Sequence, residues 1–174
     1  YERMVAQFKG SYRFTDPALN ATCNVSEGVK RMMRGYLSDV EAGNPYVDDC
    51  QHLPQAEYFD QPYERYGATD AIDNRYFPQS MNAYLDAHGL GALRIEPDQI
   101  EHVTGCDDKW SADLDPEARA LVRQVYKRDF DLLCERFDYC DPDDSTCVHG
   151  VPGMCPEQEF EWVPELSTYV RRGS

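Results

Sequence analysis

Between Val29 and Val40, apolar side chains recur at a helical interval: Val29, Met32, Met33, Tyr36, Leu37 and Val40. Positions i, i+3, i+4, i+7, i+8 and i+11 line one stripe of an α-helix and cannot line one face of a strand. Ser26 is a suitable N-cap ahead of the stripe, Glu27 is favourable in the first turn, and Gly43 is placed to end it. Such a stripe must be buried against other apolar faces. Met4, Val5, Phe8 and Tyr12 offer one, at helical spacing over residues 1–12. Asp115-Pro116-Glu117 starts another, with a cap, a proline at the first helical position and then an acid. Ala118, Leu121, Val122, Val125, Tyr126, Phe130 and Leu133 carry that period on towards Phe137.

The segments between these helices read differently. Residues 15–25 are polar, contain Pro17 and predict an exposed loop. Residues 44–67 are irregular, with Pro45, Pro54, Pro62 and many aromatics, and predict a long loop of the kind that often carries function. Residues 68–73, centred on Ala71 and Ile72, and residues 92–95 predict short strands. Phe77-Pro78 opens a further helix that presents Met81, Tyr84, Leu85 and His88 on one face and closes at Gly89. His88 reads as a last-turn residue complementing the helix dipole. His102 lies in a polar stretch without a partner pattern. Past residue 139 the composition turns to Asp, Pro, Gly and Cys, so residues 1–139 form the main domain and 140–174 an irregular tail.

A chain of 174 residues suits one domain with one sizeable core. Its net charge of −15 argues against nucleic acid as a partner. A small anion needs only a local basic pocket, and Arg3, Lys9 and Arg13, or Lys30, Arg31 and Arg34, would serve. Solvated helix faces are the plainer reading of both groups. Asn20-Ala21-Thr22 and Asn24-Val25-Ser26 are adjacent glycosylation sequons. Together with seven cysteines and no CxxC pair, they predict an oxidising secretory compartment. The cysteine count is odd and the chain starts Tyr-Glu-Arg, inside what reads as a motif. It is therefore expected to be a segment of a longer chain, with any membrane anchor upstream. Cys140, Cys147 and Cys155 predict disulfides, one of them reaching outward to Cys134. A metal is not expected. Cys140, Cys147, His149 and Cys155 match no common zinc spacing. Asp141-x-Asp143-x-Ser145 fails as a calcium loop, because Thr146 stands where glycine is needed and Pro152 where the bidentate glutamate belongs.

The candidate for chemistry is Gln51-His52-Leu53-Pro54-Gln55. Pro54 fixes its own φ and biases Leu53 towards an extended conformation, so His52 is presented on a stiff, non-helical segment. An imidazole there can take a proton from a hydroxyl near neutral pH.

Three motifs in order carry a family resemblance over residues 1–139. Tyr1-Glu2-Arg3-Met4-Val5-Ala6-Gln7-Phe8 resembles the end of the 3′-phosphate-binding motif of sulfotransferases, Arg-Asp-Pro-Tyr-x-Arg-Leu-x-Ser-x-Phe/Tyr. His52-Leu53-Pro54-Gln55 resembles the His-x-Pro-Gln segment of the chondroitin-type Golgi carbohydrate sulfotransferases. Leu114-Asp115-Pro116 through Tyr126-x-x-Asp129-Phe130, with Tyr139, resembles their closing helix. The resemblance implies the C-terminal part of an α/β, P-loop-kinase-like fold, mostly helical with short parallel strands. It implies transfer of a sulfuryl group from 3′-phosphoadenylyl sulfate to a hydroxyl of a glycan acceptor, without a metal, in the Golgi lumen or secretory pathway. Arg3 would belong to the donor site, supporting its loop, and His52 would be the base or an acceptor-site residue. The sequence departs from the family at Ala6, where a serine is expected. The first motif arginine and the 5′-phosphosulfate loop would lie upstream, so this segment alone is expected to be inactive. Two other readings stand beside this one: a non-catalytic secreted protein on the same fold, and an unrelated disulfide-stabilised extracellular binding module. The last expects no parallel strands around Ala71 and Leu93.

Overall fold

The computed structural model describes residues 1–60, 70–73, 76–96, 105–106, 108–140, 160–163 and 168–171. The chain divides into two compact units, residues 1–71 with 103–144, and residues 72–102 with 145–174.

The first unit is helical: α1 (Glu2–Gly10), α2 (Pro17–Thr22), α3 (Val25–Glu41), α4 (Glu57–Asp60), α6 (Pro116–Val125) and α7 (Lys127–Phe137). The second holds α5 (Gln79–Ala87) and a strand pair, β1 (Phe160–Val163) and β2 (Thr168–Arg171). The pair is antiparallel, with Phe160 opposite Arg171 and Val163 opposite Thr168.

That overturns the expected α/β fold with parallel strands. Residues 71–73 have no regular structure, and Gly91–Leu93 is a 3-10 turn. The apolar positions there were too few to set a period. Asn82 instead satisfies the backbone of Ile95, donating to its carbonyl at 2.9 Å and accepting from its amide at 2.8 Å. A side chain thus does the pairing that a neighbouring strand would do. Pro78 stands just ahead of α5, and His88 closes it with a ring nitrogen 2.8 Å from the Tyr84 carbonyl.

The core lies where α1, α3 and α6 meet. Met4, Val5 and Phe8 pack with Val25, Val29, Met32 and Met33 and with Leu114, Ala118 and Val122. The stripe on α3 is buried as far as Tyr36, but Val40 is exposed. Two boundaries moved. Asn24, not Ser26, caps α3, accepting from the Glu27 amide at 3.1 Å. Ser26 sits inside the first turn, donates to the Asp113 carbonyl at 2.9 Å and accepts from the Asp115 amide at 2.9 Å. It ties α3 to the start of α6. The run over residues 116–137 is two helices, interrupted at Tyr126 with φ −104° and ψ 27°. The break rotates α7, so Leu132 is buried and Leu133 only half-buried.

Residues 15–25 are not a loop. Asp16 caps α2 through the Ala18 amide at 2.7 Å, with Pro17 in its first turn. Cys23 ends α2 in the left-handed region and bonds Cys106; Cys134 bonds Cys140. Cys140 therefore does reach outward to Cys134. Cys147 and Cys155 lie outside the described residues, as do His102, His149, the acidic stretch 141–145 and Pro152. Among the described residues Cys50 is the free cysteine. No described helix is long and apolar enough to cross a membrane.

Candidate functional site

The two residues singled out for chemistry come together. Arg3 stands on the exposed side of α1, and its guanidinium forks across the His52 segment. Nη2 donates to the Gln51 carbonyl at 2.6 Å and Nη1 to the Leu53 carbonyl at 3.2 Å. The carbonyl between them, on His52, accepts from the Tyr126 hydroxyl at 2.9 Å. Asp129 completes the clasp. Its two carboxylate oxygens accept from the Gln55 amide at 2.9 Å and the Ala56 amide at 2.7 Å. Gln7, one turn beyond Arg3, donates to the side-chain oxygen of Gln51.

Local sequence explains why the segment can be held this way. Residues 51–56 run through turns and lie in no helix or sheet, so most of their polar groups find no ladder partner. The carbonyls of 51–53 and the amides of 55 and 56 therefore need outside partners, and α1 and the α6–α7 junction supply them. Leu53 and Ala56 add apolar burial. The turn before it is unusual: Asp48, Asp49 and Cys50 have φ of 49°, 53° and 64°. Consecutive left-handed residues are strained for side chains, and aspartate tolerates that region better than cysteine does. Such strain collects at sites whose surroundings over-determine the backbone.

His52 itself is only 6% exposed. Its ring tilts against Tyr36, with centroids 5.9 Å apart. Nε2 lies 3.6 Å from a carboxylate oxygen of Asp48, and Nδ1 is buried without a hydrogen-bond partner. Burial lowers the imidazole's pKa, the Asp48 charge opposes this, and the Arg3 charge adds to it. The resting form is thus the neutral ring. Burial also pushes the Tyr126 phenol up, keeping it a proton donor. Asp129 is raised by burial, against the pull of its two amide bonds and of Arg3.

The basic groups suggested as anion pockets are otherwise engaged. Lys30 pairs with Asp115 at 3.0 Å and Glu117 at 3.6 Å, and Arg34 pairs with Glu117. Arg31 joins Glu27 at 2.8 Å and Asp16 at 2.6 Å. These contacts fasten α3 to α6 and to the cap of α2. Lys9 is buried with its ammonium 3.6 Å from the centre of the Trp110 ring. Among the described residues no group of three His, Cys, Asp or Glu is gathered as metal ligands.

Sequence reasoning singled out His52 and Arg3 but not what links them. Tyr126 and Asp129 were noted as members of a pattern, without a role. The left-handed turn at 48–50 had one available signal, the adjacent aspartates, which accept that conformation. Compared with protein-family models, curated proteins and solved structures, the chain gives no match.

Proposed function

We propose that this chain is the C-terminal part of a carbohydrate sulfotransferase of the secretory pathway, moving a sulfuryl group from 3′-phosphoadenylyl sulfate to a glycan hydroxyl. One observation carries the proposal: the three segments of the family resemblance, far apart in sequence, converge. Residues 1–8 supply Arg3, residues 52–55 supply the clasped loop, and the Tyr126-x-x-Asp129 motif supplies the other half of the clasp. The proposal stands on that convergence and not on a parallel sheet.

The residues take modified roles within it. Arg3 is a positioning residue, since two of its donors hold carbonyls of the His52 segment. The resting His52 ring is enclosed, so serving as base would require that segment to shift. The two disulfides suit an oxidising compartment.

The burial of His52, with the absence of strands at 71–73 and 91–93, favours the second reading, a disulfide-braced binding module without catalysis. Calorimetry with 3′-phosphoadenosine 5′-phosphate separates the two, using the chain extended by its upstream sequence. The sulfotransferase proposal expects binding, tightened about tenfold or more by Ala6→Ser, which restores one hydrogen bond to a charged group. It also expects His52→Ala to lower turnover more than donor affinity. Absence of nucleotide binding would overturn the sulfotransferase proposal and leave the non-catalytic readings.

A further inference from the structure

We propose that residues 48–56 form an acid-released strap, docked on α1 and the α6–α7 junction while His52 is neutral and lifted off when His52 takes a proton. The inference goes beyond the donor-site proposal and holds whether or not that proposal does.

The geometry of the ring is the starting point. A neutral imidazole has one N–H, which can sit on Nε2 towards Asp48 and leave Nδ1 as a bare acceptor. Protonation puts a second N–H on Nδ1, in a buried position with no acceptor. The charge is also enclosed, because the side chain is nine-tenths covered. Asp48 cannot fully compensate: at 3.6 Å its oxygen is beyond hydrogen-bond reach, and its own side chain is 70% exposed to water. Lifting the segment would solvate both nitrogens. It would also let the left-handed run at Asp48, Asp49 and Cys50 relax.

The groups that face the ring divide in sign: the carboxylates favour its proton, and burial and the Arg3 charge oppose it. From α3 come the Tyr36 ring and the more distant Asp39 carboxylate; from α1, the Arg3 cation; from its own turn, Asp48. Tyr126, at the end of α6, meets the backbone carbonyl and stays un-ionised. Burial outweighs the carboxylates, so the docked ring binds its proton less tightly than a free one. A depressed histidine contributes stability that is complete above its free pKa, about 6.5, and is lost as pH falls below it. Asp129 and Glu57 also border the strap. Asp129 works in the opposite direction, since burial raises its pKa and acid favours the docked form through it. The sign of the response therefore identifies the group.

Amide hydrogen exchange on the full chain, corrected for intrinsic rates between pH 7.5 and 5, tests the strap. Gln55 and Ala56 are the reporters, because their amides are bonded to Asp129 across the contact with α7. Their protection should fall below pH 6.5 by up to tenfold per unit. His52→Phe, which keeps a ring against Tyr36, should abolish the slope; Asp129→Asn should retain it. Protection that is flat or rises in acid overturns the proposal, as does an unchanged slope in His52→Phe. An NMR titration of the unsubstituted protein needs no variant: a His52 midpoint below about 6.5 supports the strap, and one at or above it overturns it.

Discussion

The ring of Phe8 fills the space that a β-carbon on Gly28 would need. Both residues are buried, and here the two helices meet ring against backbone. Alanine is the better helix former by about 1 kcal/mol, so α3 by itself would gain from Gly28→Ala. The fully buried ring cannot swing away, and overpacking of this kind costs roughly 1–3 kcal/mol. The expected result is a lower urea midpoint with an unchanged slope. In a Phe8→Leu background the same substitution should be neutral or stabilising. A loss as large in that background would mean that the ring is not what excludes the methyl.

Tyr126→Phe removes the donor to the His52 carbonyl without changing the ring. The carbonyl is buried between two that Arg3 holds, and an orphaned buried acceptor costs about 1–3 kcal/mol. The expected signature is local: faster exchange at Gln55 and Ala56, larger than any change at Val29 in the α3 core. Arg3→Lys should act in the same direction but less, because an ammonium cannot fork across two carbonyls as a guanidinium does. Equal effects at the loop and at α3 would mean that Tyr126 serves the core and not the clasp.

The helices were legible wherever a period ran long enough. Met4, Val5 and Phe8, the stripe from Val29 to Tyr36, and Ala118 with Val122 are all buried. What failed was short. Asp16-Pro17 carries the same start signal as Asp115-Pro116, and both aspartates cap, but the helix after Asp16 is six residues long and shows no period. Ser26 and Asn24 are both good caps by type, and only the burial of Ser26 against the Asp113–Asp115 backbone decides between them. The expected strands rested on a few apolar residues each, which a 3-10 turn accommodates as well. At the site, the segment around Pro54 is non-helical as expected, but it runs through turns and is not extended. Its burial was not readable, because it depends on three partners 48 to 74 residues away.

The two disulfides should contribute unequally. Cys23 and Cys106 are 83 residues apart, and closing a loop of that size restricts the unfolded chain by about 4.5 kcal/mol in the chain-entropy model. Cys134 and Cys140 are 6 apart, for about 2 kcal/mol on the same basis. Replacing the first pair by alanine should therefore lower the urea midpoint more than replacing the second. The reverse order would show that the short bridge at the end of α7 holds more structure than its own loop.

The sequons give a test in which glycan and stability can be separated. Asn20 and Asn24 are both exposed, but neither side chain is idle. The Asn20 oxygen accepts from Arg13 at 3.0 Å, and the Asn24 oxygen caps α3. A glycan attaches through the amide nitrogen, so both oxygen contacts can survive modification. The Ser26 hydroxyl of the second sequon is committed to the Asp113 and Asp115 backbone, so Asn24 must be modified before the first unit closes. Expression in a secreting eukaryotic cell should give a protein whose mobility shifts on glycosidase treatment. Asn24→Gln would remove the sequon and the cap together, at a cost of about 1 kcal/mol. Asn24→Asp removes only the sequon, since its carboxylate caps equally well and its charge suits a helix N-terminus. Its expected behaviour is one glycan fewer with stability retained, while Asn20→Asp combined with it should leave no shift. A wild-type chain that reaches the medium and shows no shift would count against the luminal assignment. A shift that persists in the double variant would place the glycan on another residue.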